Sequence, residues 1–297
     1  AETTLVLNAD DPSVAYLGHA RDGVVYFGLD DRAQARPGLA HAADSTHCPR
    51  CDASLDYDFV TIGHLGHWSC SRCGLRRPTP AVSVRSAAAR GLSGTDVTID
   101  TPAGLVVAAL TLPGLHNAYN AGAAAAAAHA LRLDPATIAE GLAATHAAFG
   151  RGERVDLDER ELLLLLAKNP AGANENVRTA LLDPAPLHLL VMLNDRTADG
   201  QDVSWIWDVD YEPLFDAAAA ITISGDRAYD MALRFKYGGC PADLVAVEPD
   251  VAKAVDRVIE QSSPGTTVYA LPTYTAMLDL RAELVRRGAT HDFWDDV

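Results

Sequence analysis

Two pairs of cysteines constrain this chain more than any other feature of its sequence. Cys48 and Cys51 form the motif CPRC, Cys70 and Cys73 form the motif CSRC, and 18 residues separate the two motifs. Two CxxC turns at this separation are typical of a ribbon in which four thiolates hold one tetrahedral zinc ion. Because cysteine fills all four positions, we expect a structural Zn²⁺ ion with no site left for a reactive water molecule. Two disulfides and four unliganded thiols are the alternatives.

Composition favours zinc over disulfides and excludes some partners. Five cysteines in 297 residues are too few for a disulfide scaffold. The chain has 24 Lys and Arg against 40 Asp and Glu, a net charge of -16, which argues against nucleic acid as a partner because a polyanion selects a basic surface. No apolar run approaches the 18 residues of a transmembrane segment, and the first residues show no basic and apolar leader pattern. We therefore expect a cytoplasmic protein.

Two domains are predicted from length and from a change in pattern near residue 150. The first, residues 1–150, contains strand-like runs, an alanine-rich helix over 121–133 and the cysteine motifs in a turn-rich insertion over 44–80. In the second, residues 151–297, wholly apolar strands alternate with helices. That alternation predicts a doubly wound α/β domain whose parallel sheet is covered on both faces.

Polar clusters follow the predicted strands of the second domain, where parallel sheets bind ligands. They begin at Lys168, Asn194, Ser224 and Thr273, and the second cluster continues through the acidic and aromatic segment 198–208. Helix capping and turn formation are the alternative roles for these residues.

Eight motifs, in order along the chain, resemble the MurT family, the Mur-ligase-like subunits of lipid II isoglutaminyl synthase. They are LNADDP, CPRC…CSRC, GLHNAYNAGAA, FGRGERV, AKNPAG, LND…ADGQDVSWIWD, SGDRAYDMALR and LPTYTAMLDLR. The resemblance implies an α/β fold: the remainder of a Mur-ligase central domain carrying the zinc ribbon, then a Rossmann-like C-terminal domain. It also implies ATP- and Mg²⁺-dependent amidation of the D-glutamate α-carboxylate of lipid II to D-isoglutamine. The ammonia would come from a GatD-type glutaminase subunit, and the site of action would be the inner face of the membrane.

One family motif is missing from the chain. The central domain of such ligases opens with a glycine-rich loop, GxxxxGK[ST], and no segment of this sequence has that pattern. We expect the N-terminal part of the domain to be absent here and this chain alone not to turn over ATP, because this loop provides the main-chain N–H groups and the lysine that hold the phosphates.

The resemblance implies two groups of nucleotide-site residues. The adenine side would be lined by Asn8, Asp10, Asp11, Asn117 and Asn120. Further contacts to the nucleotide or acyl phosphate would come from Arg151, Arg154 and Lys168. The alternatives are that both asparagines cap the alanine-rich helix and that both arginines are solvated charges of a linker.

The resemblance also implies a catalytic residue that acts on the partner. A glutaminase His needs a carboxylate to hold its tautomer, and we expect Asp202 to supply it across the interface, with Asp199 and Asp208 as the other candidates. Trp205 and Trp207 would anchor that contact, and a turn cap is the alternative role of Asp202. Cys240 is expected to be an ordinary thiol. The competing hypothesis for the whole chain is a non-catalytic zinc-ribbon interaction module that docks and supports a partner glutaminase.

Overall fold

The computed structural model describes residues 3–39, 43–146, 151–184 and 186–291, with the main chain alone for Arg151. The chain divides into two compact units, Ala1–His146 and Ala147–Val297. No helix in the described part of the chain is long and apolar enough to cross a membrane.

The first unit is built on a mixed five-stranded sheet. Its strands are β1 (Leu5–Asn8), β2 (Val24–Leu29), β3 (Asp56–Val60), β4 (Gly66–Ser69), β5 (Val82–Ala89), β6 (Thr95–Thr101) and β7 (Gly104–Leu110). The sheet order is β1-β2-β5-β6-β7, in which β1, β2 and β5 are parallel and β5, β6 and β7 are antiparallel. The hairpin β3–β4 forms a separate two-stranded sheet.

Helices α2 (Leu115–Ala130) and α3 (Pro135–Ala143) cover one face of that sheet. Helix α1 (Pro12–Leu17) lies against the other face, where the Tyr26 hydroxyl of β2 donates to the carbonyl of Ala15 at 3.0 Å. Along β7, Val106, Ala108 and Leu110 point into the core beneath α2 and α3, whereas Leu105 and Val107 are exposed on the opposite face. This period of two is what a strand covered on one face requires.

The starts of α1 and α2 are set by residues outside the apolar runs. Helix α1 begins at Pro12 and is capped by Asp11, whose carboxylate accepts from the N–H groups of Ser13 and Val14. Helix α2 begins at Leu115, six residues before the predicted start. The segment LHNAYN is helical as well and extends the alanine tract toward the N-terminus.

The cysteine insertion takes the place of an ordinary crossover. Parallel neighbours such as β2 and β5 cannot be joined by a tight turn. Here residues 44–80 make that connection, and we call this segment the ribbon. Its own small core contains Leu55, Trp68, Cys48 and Cys70, and it packs on Ala15 of α1.

The second unit is a six-stranded, mostly parallel sheet. Its strands are β8 (Arg151–Leu157), β9 (Arg160–Leu165), β10 (Leu187–Met192), β11 (Ala218–Ser224), β12 (Val245–Val247) and β13 (Thr267–Pro272). Its helices are α4 (Pro170–Ala180), α5 (Glu212–Ala217), α6 (Ala228–Tyr237), α7 (Val251–Gln261) and α8 (Tyr274–Arg286). The sheet order is β12-β11-β10-β13-β9-β8, and only the edge pair β8–β9 is antiparallel.

Both faces of this sheet are buried, which confirms the doubly wound α/β prediction. On one face, Leu190 and Met192 of β10 join the core made with α7 and α8. The alternate residues Leu189 and Val191 are equally buried on the other face. The strand order reverses between β10 and β13, so their carboxyl ends border the crevice in which such sheets bind ligands.

The segment 151–157 forms β8, and the linker interpretation of its arginines is wrong. The turn Asp158–Glu159, in which both residues have positive φ, returns the chain into β9. Polar residues alternate with Val155 and Leu157 along this edge strand, so its pattern is weaker than that of the apolar strands inside the sheet.

Candidate functional site

The four cysteines of the ribbon converge on one point. All four sulfur atoms lie within 4.8 Å of one another, and the pairs Cys48–Cys73 and Cys51–Cys70 are each separated by 3.6 Å. A tetrahedral ion with Zn–S bonds of about 2.3 Å separates its sulfurs by about 3.8 Å, whereas a disulfide bond measures about 2.05 Å. The donor set therefore fits a four-coordinate metal ion, and the disulfide alternative does not fit.

The two knuckles repeat the same backbone geometry. The N–H of Cys48 donates to the carbonyl of Ala53, and the N–H of Cys70 donates to that of Leu75 in the same way. The residue after each knuckle, Asp52 or Gly74, has positive φ, +59° and +74° respectively. Main-chain N–H groups of the second knuckle, first that of Cys73, lower the pKa of Cys70, whereas in Cys51 the N–H of Ala53 is outweighed by burial and the neighbouring thiols, which raise its pKa. A thiol prepared for ionisation is a good metal ligand.

The turn at the end of β1 carries three of the predicted nucleotide residues, and the structure gives them different surroundings. Asn8 is half-buried and accepts the N–H of Asp10. Asp11 is half-buried and caps α1. Asp10 is completely buried: its carboxylate accepts from Arg77 at 2.6 Å, from the Tyr119 hydroxyl at 2.7 Å and from the N–H of Leu29 at 2.9 Å.

This geometry makes Asp10 an internal structural residue and does not support its predicted contact with a nucleotide. Burial raises the pKa of Asp10, and the neighbouring Arg77 opposes that rise. Both carboxylate oxygens already have partners within the protein. Arg77 stands in no recognised motif, and Tyr119, although part of GLHNAYNAGAA, carries no local sign that it pairs with Asp10.

Asn117 and Asn120 lie inside α2, on adjoining turns. The capping position is Gly114, which has no side chain, so the alternative that these asparagines cap the helix is wrong. The Asn117 amide donates to the carbonyl of Pro113 at 2.7 Å, and the Asn120 amide donates to Asn117 Oδ1 at 3.2 Å. Asn120 is exposed, and Tyr119 between them points inward to Asp10.

The remaining predicted phosphate contacts lie in the second unit. Arg154 is on the exposed edge strand β8 and pairs with Glu161 of β9. The side chain of Arg151 lies outside the described residues. Lys168 is exposed just beyond β9, next to Asn169, which caps α4 by accepting the N–H of Gly172 at 2.8 Å.

Polar side chains from neighbouring strand ends meet at the carboxyl edge of the second sheet. Asn194, after β10, is buried and donates through its amide to Thr275 Oγ1 and to Asp279. The Asp199 carboxylate is also buried and accepts the N–H of Thr275 at 2.8 Å, so it acts as a cap on the first turn of α8. These bonds tie the loop after β10 to the start of α8, which is a structural role for Asp199.

Asp202 and Asp208 are exposed at the two ends of a short 3-10 helix, Ser204–Asp208. Asp202 accepts the N–H of Ser204 at 2.8 Å, and hydrogen bonds from the Ser204 side chain and main chain lower the pKa of Asp202. The turn-capping role of Asp202 is therefore present, and it leaves the second carboxylate oxygen at the surface. Trp205 lines a small apolar pocket with Tyr211 and Met231.

An exposed aromatic surface lies beside that 3-10 helix. Trp207 is 49% exposed, and its ring centroid lies 6.1 Å from that of Tyr237. Tyr229, Leu233 and Tyr237 recur every fourth residue on α6 and are 70%, 47% and 72% exposed. We call Trp207 and these three residues the aromatic stripe. Of these four residues, only Trp207 could be predicted from the sequence as an interface residue. Which side of α6 is exposed depends on how that helix packs in the fold.

Cys240 has the environment of an ordinary thiol. It is half-buried after α6, and burial raises its pKa, whereas a nucleophilic cysteine needs a lowered one.

Comparison with known proteins gives three consistent matches. The family model described as MurT ligase C-terminal matches residues 166–277. A curated relative, the lipid II isoglutaminyl synthase (glutamine-hydrolyzing) subunit MurT of Streptococcus pneumoniae, is 33% identical over 294 residues, which is 96% of this chain and 62% of the relative. A solved structure of a pseudomurein peptide ligase type C from Methanothermus fervidus has a TM-score of 0.71 at 23% identity, covering 96% of this chain and 56% of that one.

A more distant structure shares the fold as well. The MurF ligase from Thermotoga maritima in complex with ADP has a TM-score of 0.58 at 10% identity and covers 97% of this chain and 55% of that one. The chain thus has the Mur-ligase-like fold, and it spans about three fifths of the length of the curated relative it matches. Identity to that relative extends through both units and includes the segment that carries the cysteine cluster. The chain is therefore similar to MurT subunits along both of its units, and residues 166–277 match the C-terminal part of that family.

Proposed function

We propose that this chain is part of a lipid II isoglutaminyl synthase, which amidates the D-glutamate α-carboxylate of the peptidoglycan stem peptide to D-isoglutamine. The observation that carries the proposal is the 33% identity to the S. pneumoniae subunit over 96% of the chain. The carboxylate is activated by ATP as an acyl phosphate, which ammonia then attacks. Such a reaction needs a positioned electrophile and compensated phosphate charge, and no nucleophile from the protein.

The adenine side of the nucleotide would be held by the turn after β1 and by the exposed side of α2. Asn8, Asp11, Asn117 and Asn120 offer amide and carboxylate groups there, and an asparagine amide can both donate to and accept from an adenine edge. The MurF ligase of the same fold was solved in complex with ADP, which supports a nucleotide site in this chain. Magnesium would accompany the phosphates, and the ribbon cysteines would hold zinc.

Binding of ADP separates this proposal from a non-catalytic interaction module. We expect the chain to bind ADP measurably, and Asn117→Ala with Asn120→Ala to weaken binding about tenfold, the value of one or two lost hydrogen bonds. Asn120 is exposed and Asn117 half-buried, so the folding of the variant can be checked by its unchanged thermal transition. ATP hydrolysis by residues 1–297 alone is not expected, because their sequence contains no GxxxxGK[ST] motif. Absence of ADP binding by the chain would favour the interaction module.

The partner would be a GatD-type glutaminase docked on the second unit, acting on lipid II at the cytoplasmic face of the membrane. "Subunit" and "glutamine-hydrolyzing" in the name of the S. pneumoniae relative both support a second chain. The aromatic stripe gives that chain a contact surface, since exposed tryptophan and tyrosine side chains are typical anchors of interfaces. Asp202, two residues before the start of the 3-10 helix that carries Trp207, is exposed and presents a carboxylate oxygen.

Asp202→Asn tests the catalytic part of this proposal. The asparagine still accepts the N–H of Ser204, so the turn is retained and only the charge is removed. If Asp202 orients the partner's histidine, we expect glutamine hydrolysis by the complex to fall about 100-fold or more in kcat with complex formation intact. Asp208→Asn, at the other end of the same 3-10 helix, is the matched control and should hydrolyse glutamine normally. Equal rates for wild type and Asp202→Asn would leave Asp202 with its turn-capping role alone.

A further inference from the structure

The ribbon contacts the turn after β1 at every residue from Ala9 to Asp11. The Trp68 indole N–H donates to the carbonyl of Ala9 at 3.0 Å, and the N–H of Gly66 donates to the carbonyl of Asp10 at 3.1 Å. His64 Nε2 lies 3.3 Å from the Asp11 carboxylate. This turn is therefore shaped as much by the inserted ribbon as by the sheet that it follows.

Arg77 makes the central contact of this interface. It belongs to the ribbon, its side chain is 10% exposed, and it forms an ion pair with the fully buried Asp10 at 2.6 Å. A second ion pair, at 3.1 Å, joins Arg77 to Asp30, which follows β2. A buried carboxylate is stable in its charged form when a cation and hydrogen bonds surround it, and removal of the cation is strongly destabilising.

Asp10 also contacts α2 and so connects Arg77 to that helix. Its second oxygen accepts the Tyr119 hydroxyl, which also lies 2.7 Å from Thr61 Oγ1 in the ribbon. Tyr119 lies between Asn117 and Asn120 on the helix. The chain of contacts from Arg77 through Asp10 to Tyr119 thus joins the ribbon to both segments that we place at the nucleotide.

The ribbon depends on its metal ion for this geometry. Its core consists of the cysteines with Leu55, Trp68 and a few partly buried neighbours. A core of this size is too small to fold by hydrophobic burial, and comparable ribbons are unfolded without metal. Trp68 belongs to the same core as Cys48 and Cys70, and its carbonyl accepts the N–H of Arg77 at 3.0 Å.

We propose that the ribbon is a positioning element: metal binding by its four cysteines, transmitted through Arg77, Asp10 and Tyr119, sets the relative placement of the turn after β1 and the start of α2. Arg77 and Asp10 are then positioning residues, and metal occupancy controls the affinity of this site for an adenine nucleotide. The nucleotide half of this statement rests on the proposed function, whereas the coupling between metal and turn does not.

Amide hydrogen exchange tests the coupling without any activity measurement. The zinc-loaded chain is compared with Arg77→Gln, which retains all four cysteines, and with Arg76→Gln, the exposed neighbouring residue, as the matched control. We expect amides of residues 9–14 and 117–121 to exchange about tenfold faster in Arg77→Gln while one zinc per chain is retained. Arg76→Gln should match the wild type, and Arg77→Lys, which restores a cation beside Asp10, should recover most of the protection.

Two outcomes would overturn the proposal. If chelation of zinc exposes the ribbon amides but leaves residues 9–14 and 117–121 protected, the ribbon does not position the turn. If Arg77→Gln loosens the turn but binds ADP as tightly as the wild type, the link to the nucleotide is wrong. A wild-type chain that binds no ADP contradicts the proposed nucleotide site instead, and the exchange data still decide the coupling between metal and turn.

Discussion

At the scale of single residues, two positions with positive φ hold the cysteine knuckles in place. Asp52 and Gly74 occupy equivalent places after the second cysteine of each motif, and each closes the turn by donating its N–H to the carbonyl of the first cysteine, Cys48 at 2.8 Å and Cys70 at 3.0 Å. Aspartate tolerates this region better than most residues, and glycine enters it without cost. The knuckles therefore depend on two residues that are not ligands.

Replacing Gly74 should destabilise the ribbon through the backbone alone. No atom lies within 4 Å of a Cβ built on Gly74, so the added methyl group meets no neighbour and only the positive φ is unfavourable. We expect Gly74→Ala to lower the unfolding free energy by about 1 kcal/mol. Gly38→Ala is the matched control, since that position is equally open and has an ordinary φ. Thermal unfolding of the zinc-loaded variants measures both, and equal transitions would contradict the role given to the φ angle.

A second residue-scale effect depends on pH. Hydrogen bonds from Arg286 and Arg287 to Glu283 on α8 lower the pKa of Glu283 to about 2. A carboxylate whose pKa is lower in the folded state contributes stability above its unfolded pKa, near 4.5, and that contribution is lost as the pH falls toward 2. We expect Glu283→Gln to lower the unfolding free energy by about 1 kcal/mol at pH 7. The difference should shrink at pH 3 in urea unfolding, and a difference that stays the same at both pH values would contradict the role given to the two arginines.

At the scale of elements, the alanine tract of α2 both favours helix formation and allows the helix to pack closely on the sheet. Ala118, Ala121, Ala125 and Ala126 are buried against the sheet. A Cβ on Gly122 would lie 2.9 Å from a Val84 methyl carbon, which shows how closely the helix approaches β5. Small residues on this face let the helix lie near the sheet, and this brings Tyr119 within reach of Asp10.

Enlarging one alanine of that tract should be costly on the inner face only. Ala125 is fully buried, whereas its neighbour Ala124 is exposed on the same helix. Ala125→Leu should destabilise the first unit by about 1–3 kcal/mol through overpacking, and Ala124→Leu by less than about 0.5 kcal/mol. Denaturant unfolding of the pair checks this. Equal stabilities would mean that the interface between α2 and the sheet is loosely packed.

At the scale of the whole molecule, the two units differ in what stabilises them. The second has a sheet with both faces covered and a continuous apolar core. In the first, the main core lies between the sheet and α2 and α3, and the ribbon, whose own core is small, replaces a crossover. We therefore expect metal binding to stabilise the first unit.

Removal of the metal should separate the two units in an unfolding experiment. We expect one zinc per chain by elemental analysis, and we expect chelation or Cys70→Ser to lower the first transition by several kcal/mol without moving the second. Cys240→Ser, which alters a cysteine outside the cluster, should leave both transitions and the zinc content unchanged. Purified protein with no zinc and five reactive thiols would contradict the structural metal site.

Local signals in the sequence were sufficient for much of this molecule. Cysteine spacing located the metal site, and the apolar runs predicted the strands β9 to β13 and the helices between them, since buried parallel strands carry their signal within their own residues. Edge strand β8 and the first turns of α2 were not predicted, because polar residues interrupt the pattern of apolar residues in both segments. The family resemblance supplied candidate nucleotide residues but could not tell which side chains face solvent.

Only the tertiary structure decided the role of Asp10. In the sequence, Asp10 lies between other polar residues and resembles an ordinary turn residue. In the structure it is fully buried and pairs with Arg77, 67 residues away, and with Tyr119, 109 residues away. The same holds for the aromatic stripe, which exists because α6 buries Met231 and Phe235 and turns Tyr229, Leu233 and Tyr237 outward. Local patterns are set by neighbours along the chain and can be read from the sequence. Charge pairing and exposed surfaces are set by neighbours in space, because the free energy of a buried charge depends on which distant residue the fold brings beside it.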